Sequence, residues 1–353
     1  MTIIKLLGGL GLFIYGMKLM GDGLENAAGE GLKKILEKVT KNPVIAVIVG
    51  AVVTMVIQSS SATTVMVVGF VNAGLMNLAQ AAGIIMGANI GTTITAQLVA
   101  FKLDEIAPVF VFVGAMMVMF VKGKKRREIG NIILGFGILF VGMGTMSAAM
   151  KPLTTLPMFQ DILTTVGQHW YLGVIAGALI TAVLQSSSAT TGILVALATA
   201  GALNIDQALP IIMGCNIGTC ITAMLATVGT NKTAHRAAML HLIFNVVGTI
   251  IFLPIIIPGF LGDFVSYFTG DVKRQIANAH TIFNVVNTLI MVPLIPVLCK
   301  IVEKIIPGED DEKVGPKYID DRLLETPVIA AGQVVKETIR MANKAKLSLE
   351  LAM

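Results

Sequence analysis

The heptapeptide Gln58-Ser59-Ser60-Ser61-Ala62-Thr63-Thr64 returns letter for letter as Gln185-Ser186-Ser187-Ser188-Ala189-Thr190-Thr191, each copy within an apolar run. Hydroxyls and amides of this kind ligate cations through oxygen and donate hydrogen bonds to oxyanions. Sunk in hydrocarbon, they need partners that neither lipid nor a plain helix supplies. Binding of an ion or a polar substrate is the chemistry they suit best. A serine nucleophile would need a base within reach, yet no His, Asp or Glu lies between residues 43 and 76 or between 171 and 203. Two identical nucleophiles would also be redundant, so an intramembrane hydrolase is disfavoured.

A second motif is paired in the same way. Gly87-Ala88-Asn89-Ile90-Gly91-Thr92-Thr93 corresponds to Gly214-Cys215-Asn216-Ile217-Gly218-Thr219-Cys220, and both motif pairs are 127 residues apart. Upstream, Gly9, Gly11, Gly16, Met17 and Met20 recur 126 residues on at Gly135, Gly137, Gly142, Met143 and Met146. The chain is a tandem duplication whose units each open on a glycine-rich helix suited to close packing. Two glycines and an asparagine in mid-span favour local unwinding. The spans at about 78–100 and 206–228 are therefore expected to be broken crossing helices.

Of 353 residues, 55% are hydrophobic and 13% charged, a composition that belongs in a bilayer. No charge lies between Lys41 and Lys102, and Asp206 is alone between Asp161 and Lys232. The net charge of +5 could suggest nucleic acid, but the basic residues flank apolar spans in short loops, which is a topology signal. Nucleic acid is not an expected partner. Cys215, Cys220 and Cys299 lack zinc spacing and read as small core residues, and the methionines as core filler.

Length constrains the elements that must position the heptapeptides. Pro43 to Ile57 makes roughly 22 Å of helix, against a hydrocarbon core of about 30 Å. Val65 to Val71 is shorter still, and Asn72 to Gly74 signals a turn. Two half-helices meeting at Gln58 to Ser61 give a re-entrant hairpin over about 43–76, with its counterpart over about 171–203. Full crossings are expected at about 4–21, 78–100, 106–121, 130–150, 206–228 and 237–258, and an extra one at about 276–300 within residues 274–304. An amphipathic stretch carries Lys33, Lys34, Lys38 and Lys41. Three crossings per unit are an odd number, so residues 1–127 and 128–258 enter the membrane in opposite senses. The predicted fold class is an all-α polytopic membrane protein of two inverted-topology repeats. Keeping Lys33 to Lys41, Lys122 to Arg127, Lys232 to Arg236 and Lys300 to Lys304 inside sets the N-terminus outside and the C-terminus in the cytoplasm. Residues 308–353 read as an acidic linker and a cytoplasmic amphipathic helix that needs a partner surface or belongs to something larger.

A hairpin tip presents helix-end carbonyls to cations and helix-start amides to anions. None of the four motif segments contains Lys or Arg, so a buried dianion such as HPO₄²⁻ would lack fixed countercharge there. Sodium ions beside it would supply that charge, and each inward positive charge gains about 2.3 kcal/mol per 100 mV of inside-negative potential. His241 and His280 open the echo HLIFNVV and HTIFNVV. With Asn245 and Asn284 they are expected to cross-link helices by hydrogen bonds rather than to relay protons.

At these residues the chain resembles the type II sodium-phosphate cotransporter family and its bacterial members. The likeness rests on the paired QSSS motifs, each followed by G-x-N-I-G-T, and covers about residues 1–300. It implies an inverted-repeat fold, alternating access and uptake of inorganic phosphate with Na⁺ in a cell (plasma or inner) membrane. It also implies phosphate contacts from Gln58, Ser59, Ser60, Ser61, Gln185, Ser186, Ser187, Ser188, Asn89 and Asn216. For Na⁺ it implies Gln58, Ser61, Thr64, Asn89, Thr92, Thr93, Gln185, Ser188, Thr191, Asn216 and Thr219. Cys220 stands where the first unit has Thr93, so a ligand formed by that hydroxyl exists in one unit only. Tyr318 to Met353 is similar to the opening helix of a PhoU-like domain. The expected partners are phosphate, sodium ions, the lipid bilayer and a second copy in a homodimer. A symporter of another small oxyanion, coupled to sodium or protons, and a passive anion channel are the alternatives.

Overall fold

The computed structural model of the protein describes residues 2–28, 42–101, 103, 105–308, 318–319 and 327–352. The Lys33 to Lys41 stretch and the acidic run from Glu309 to Glu312 lie outside the described residues. Within them the chain is helical throughout, with no strand. The first unit comprises α1 (Thr2–Ala28), α2 (Pro43–Ile57), α3 (Ser60–Asn72), α4 (Leu78–Val99) and α5 (Ala107–Phe120). The second comprises α6 (Lys124–Met150), α7 (Pro157–Gln168), α8 (Trp170–Leu184), α9 (Ser187–Thr199), α10 (Ile205–Leu225) and α11 (Lys232–Ile256). There follow α12 (Phe260–Phe268), α13 (Val272–Met291), α14 (Ile295–Ile305) and α15 (Pro327–Ala352).

Six stretches are long and apolar enough to cross a bilayer: α1, α4, residues 124–155, α10, α11 and residues 272–305. The chain is an all-α polytopic membrane protein. Its hairpin arms, α2 with α3 and α8 with α9, are each too short to cross. Helix α5, expected as a full crossing, has 14 residues, or about 21 Å of rise, and lies along α6. Two short helices have no counterpart in the expected layout: α7, which meets α8 at a bend of 109°, and α12.

Inversion of the repeats is visible in one contact line. A Cβ built on Gly9 would meet Gly142 and Met146, on Gly16 Gly135 and Leu139, and on Gly23 Glu128 and Ile132. The homologous helices α1 and α6 therefore run antiparallel, backbone against backbone. Small residues make such an approach possible where lipid offers no hydrophobic drive between helices.

The motif helices depart from expectation. Both α4 and α10 run unbroken through the glycine–asparagine motif, α10 even past Pro210. Their glycines serve packing instead of unwinding: a Cβ on Gly87 would lie 2.0 Å from the Val47 carbonyl oxygen, and one on Gly214 2.0 Å from that of Val174. Each first hairpin arm thus lies in contact with the motif helix behind it. Asn77 and Asn204 start those helices with capping boxes closed by Gln80 and Gln207.

Helices α11 and α13 bear the two HxIFNVV segments and pack into the same core. Asn245, Asn284 and Asn287 are fully buried there. His241 Nε2 lies 3.3 Å from Asn89 Nδ2, and His280 Nε2 lies 3.3 Å from Asn216 Oδ1. Because α4 and α10 are repeat mates, α11 and α13 occupy corresponding places. The crossing that looked like an addition to the repeats is part of their shared core.

Candidate functional site

Both tips take the same unusual backbone. Gln58 and Gln185 have φ of 58° and 52°, and they are the only residues other than glycine with positive φ among those described. The left-handed position that ends a helix favours glycine, and a larger residue there costs about 1 kcal/mol or more. A glutamine at both tips points to a need for its side chain. Ser59 and Ser186 cap the second arms, their Oγ atoms accepting from Ala62 and Ala189 at 3.1 Å. The amides of the next two serines in each copy fall in the first helical turn, where no intrahelical acceptor exists. The arms are pinned by Thr54 Oγ1 to Thr63 Oγ1 and by Thr181 Oγ1 to Thr190 Oγ1, each 2.9 Å.

The tips come together. Ser61 Oγ donates to the Gln185 carbonyl at 3.3 Å. A cavity of about 310 Å³ is lined by Gln58, Ser59, Ser60 and Ser61 of one tip and by Gln185, Ser186, Ser187 and Ser188 of the other. At about 30 Å³ per water, that volume suits an oxyanion together with small cations and a few waters. Free helix-start amides and serine hydroxyls supply donors, and the carbonyl ends of α2 and α8 supply oxygens for cations.

The third wall was not anticipated. Ile14, Met17, Lys18, Gly21, Asp22 and Glu25 of α1 line the same cavity. Lys18 therefore brings fixed positive charge to a site whose motif segments carry none. With Asp22 and Glu25 beside it, this wall bears one positive and two negative formal charges, so a bound dianion still calls for cations. The signal was legible as an i, i+4, i+7 row of ionisable residues in an apolar helix, which is a functional hypothesis by default.

The other residues singled out in the sequence do not reach the cavity wall. Asn89 and Asn216 are buried against His241 and His280. Thr93 Oγ1 bonds back to Ile90 O at 2.8 Å, Thr219 Oγ1 to Cys215 O at 2.9 Å and Thr64 Oγ1 to Ser60 O at 2.9 Å. The hydroxyls of Thr92 and Thr191 are buried without a partner among the described residues. Cys220 Sγ lies 3.5 Å from Asn216 O in its own helix and 3.5 Å from His241 O on α11, whereas its counterpart Thr93 bonds to Ile90 O. Thr95, not singled out, donates to Gln58 Oε1 at 2.9 Å.

Comparison with known proteins agrees with the motifs. A family described as "Na+/Pi-cotransporter" matches residues 12–148 and again 143–286, once per repeat. YqeW, an uncharacterized protein of Bacillus subtilis (strain 168), is 33% identical over 298 residues, covering 84% of this chain and 96% of that protein. The putative inorganic phosphate export protein YjbB of Escherichia coli (strain K12) is 27% identical over 352 residues. That alignment takes in 99% of this chain and 64% of YjbB, so the chain spans just under two thirds of that relative. The sodium-dependent phosphate transport protein 2A of Rattus norvegicus is 37% identical over 97 residues, 27% of this chain and 15% of that protein. No solved structure matches.

Proposed function

Because the chain belongs to the Na⁺/Pi-cotransporter family, we propose that it moves inorganic phosphate across the cell membrane together with Na⁺, by alternating access to one site shared by both tips. The observation that carries this reading is the convergence of Gln58 to Ser61 and Gln185 to Ser188 on a single cavity. Phosphate oxygens take the free amides and hydroxyls of Ser60, Ser61, Ser187 and Ser188. Sodium ions take the carbonyl oxygens at the ends of α2 and α8 with the oxygen of a tip glutamine. Cation and anion then neutralise each other where neither alone is stable, which couples their movement. Asn89, Thr92, Thr93, Asn216 and Thr219 act from behind, holding the helices against which the tips rest. The basic clusters Lys33 to Lys41, Lys122 to Arg127, Lys232 to Arg236 and Lys300 to Lys304 are taken as cytoplasmic from their sequence positions, leaving the N-terminus outside.

Inward symport is the first reading, since each co-transported positive charge gains about 2.3 kcal/mol per 100 mV on entering. Export is the second, favoured by the name of the YjbB relative. Purified protein in liposomes separates them. Labelled phosphate should accumulate under an inward Na⁺ gradient and fail to do so under a proton gradient alone. Uptake indifferent to Na⁺ would overturn the coupling, and net flux that runs only from the cytoplasmic face would favour export.

Lys18 gives a graded check on the same assay. It is solvent-exposed on the cavity wall, where a charge contact is worth up to about 1 kcal/mol. Lys18→Gln should raise the phosphate KM by about 3-fold, with Lys18→Arg near the parent value. An unchanged KM in Lys18→Gln would remove this residue from anion recognition.

A further inference from the structure

Each tip glutamine has a threonine at an equivalent place on the motif helix behind it, and the two pairs differ in state. Thr95 and Thr222 are 127 residues apart, the repeat offset. Thr95 Oγ1 donates to Gln58 Oε1 at 2.9 Å, while Gln58 Nε2 donates to Met55 O, so this side chain is folded back onto its own unit. In the second unit, Thr222 Oγ1 is buried without a partner among the described residues. The Gln185 side chain is exposed and makes no hydrogen bond among them. A buried hydroxyl left unpaired is destabilising, and the group its counterpart uses is the one that stands free.

The cavity shares this asymmetry. It is walled by α1 and by no described residue of α6, its repeat mate. From Lys18 to Glu25 it follows α1 toward that helix's C-terminal end. Toward the other end, fully buried Phe13 fills the space beside Gly192, where an added Cβ would lie 2.3 Å from Phe13 Cζ. The cavity thus lies wholly on the C-terminal side of Phe13 along α1.

We propose that Thr95 and Thr222 are positioning residues that hold Gln58 and Gln185 in alternation. Gln58 is latched and Gln185 released in the state open toward the C-terminal end of α1; the bonds exchange in the state open the other way. Inverted repeats permit this, since exchanging the conformations of the two halves yields the opposite-facing state. The inference rests on the transport reading above and adds the part of the fold that records which way the site faces.

The test uses a reporter cysteine, Asp22→Cys, in the full chain carrying Cys299→Ser, labelled with a membrane-impermeant maleimide in oriented vesicles. Thr95→Val removes the latch that holds the present state, so labelling from the open side should fall several-fold and the melting temperature should drop. Thr222→Val removes the opposite latch and an unpaired buried hydroxyl, so labelling should rise and the melting temperature hold or increase. Thr95→Ser and Thr222→Ser should restore the parent pattern. Shifts of the two valine variants in the same direction, or no shift in either, would overturn the proposal. Labelling needs no cargo, so absent phosphate flux beside opposite labelling shifts would count against the transport reading while leaving the latch intact.

Discussion

Gly87→Val and Gly214→Val are each expected to leave no folded, extractable protein. The space for a side chain is absent, because the atom ahead of each Cβ is a backbone carbonyl oxygen at 2.0 Å, in Val47 and Val174 respectively. A flexible neighbour could move aside, but here a whole helix must shift, and α2 and α8 are the arms that end in the tips. Overpacking of a tight core usually costs about 1–3 kcal/mol, and more where the backbone must yield. Even Gly87→Ala should lower the melting temperature clearly. Gly144 is the control: it lies within α6, and a Cβ added there would have nothing within 4 Å. At that position alanine should be neutral or stabilising by up to about 1 kcal/mol, as helix propensity dictates. Melting followed by fluorescence-detected size exclusion would read both. Wild-type stability in Gly87→Val would contradict the packing role given to these glycines.

Ser60→Ala and Ser187→Ala should each lower phosphate kcat/KM by about 10-fold or more while melting as the parent does. Each removes a hydroxyl at the start of a second arm without touching a cap, since Ser59 and Ser186 perform the capping. A hydrogen bond to a charged group is worth about 1.5–3 kcal/mol, which corresponds to roughly 10- to 150-fold. Because both serines line the same cavity, the double variant should lose less than the product of the single losses. Parent-like transport in both single variants would contradict the site.

Much of this architecture was legible in the chain. Arms of 15 and 13 residues cannot span a bilayer, so the hairpins followed from length once the polar heptapeptide marked their tips. The constant repeat offset exposed the duplication, and the echo around His241 and His280 foretold a structural pair, although not that each histidine would meet a motif asparagine. The glycine–asparagine helices differ from expectation for a physical reason. Glycine serves both unwinding and close approach, and composition alone does not separate them; the contact between α2 and α4 does. The motif segments carry no charge and do not point to Lys18, because α1 supplies the third wall from a distant part of the sequence. Helices α7 and α12 are short and cross nothing, so hydropathy organised around full spans passes over them.

If the two heptapeptides form one site, equilibrium binding counts it directly. Purified protein titrated with labelled phosphate in Na⁺, and again with choline in place of Na⁺, should bind one phosphate per chain in Na⁺ and far less in choline. Ser60→Ala and Ser187→Ala should each weaken that single site. Two phosphates per chain, with each substitution removing one and sparing the other, would show two separate sites and contradict the account.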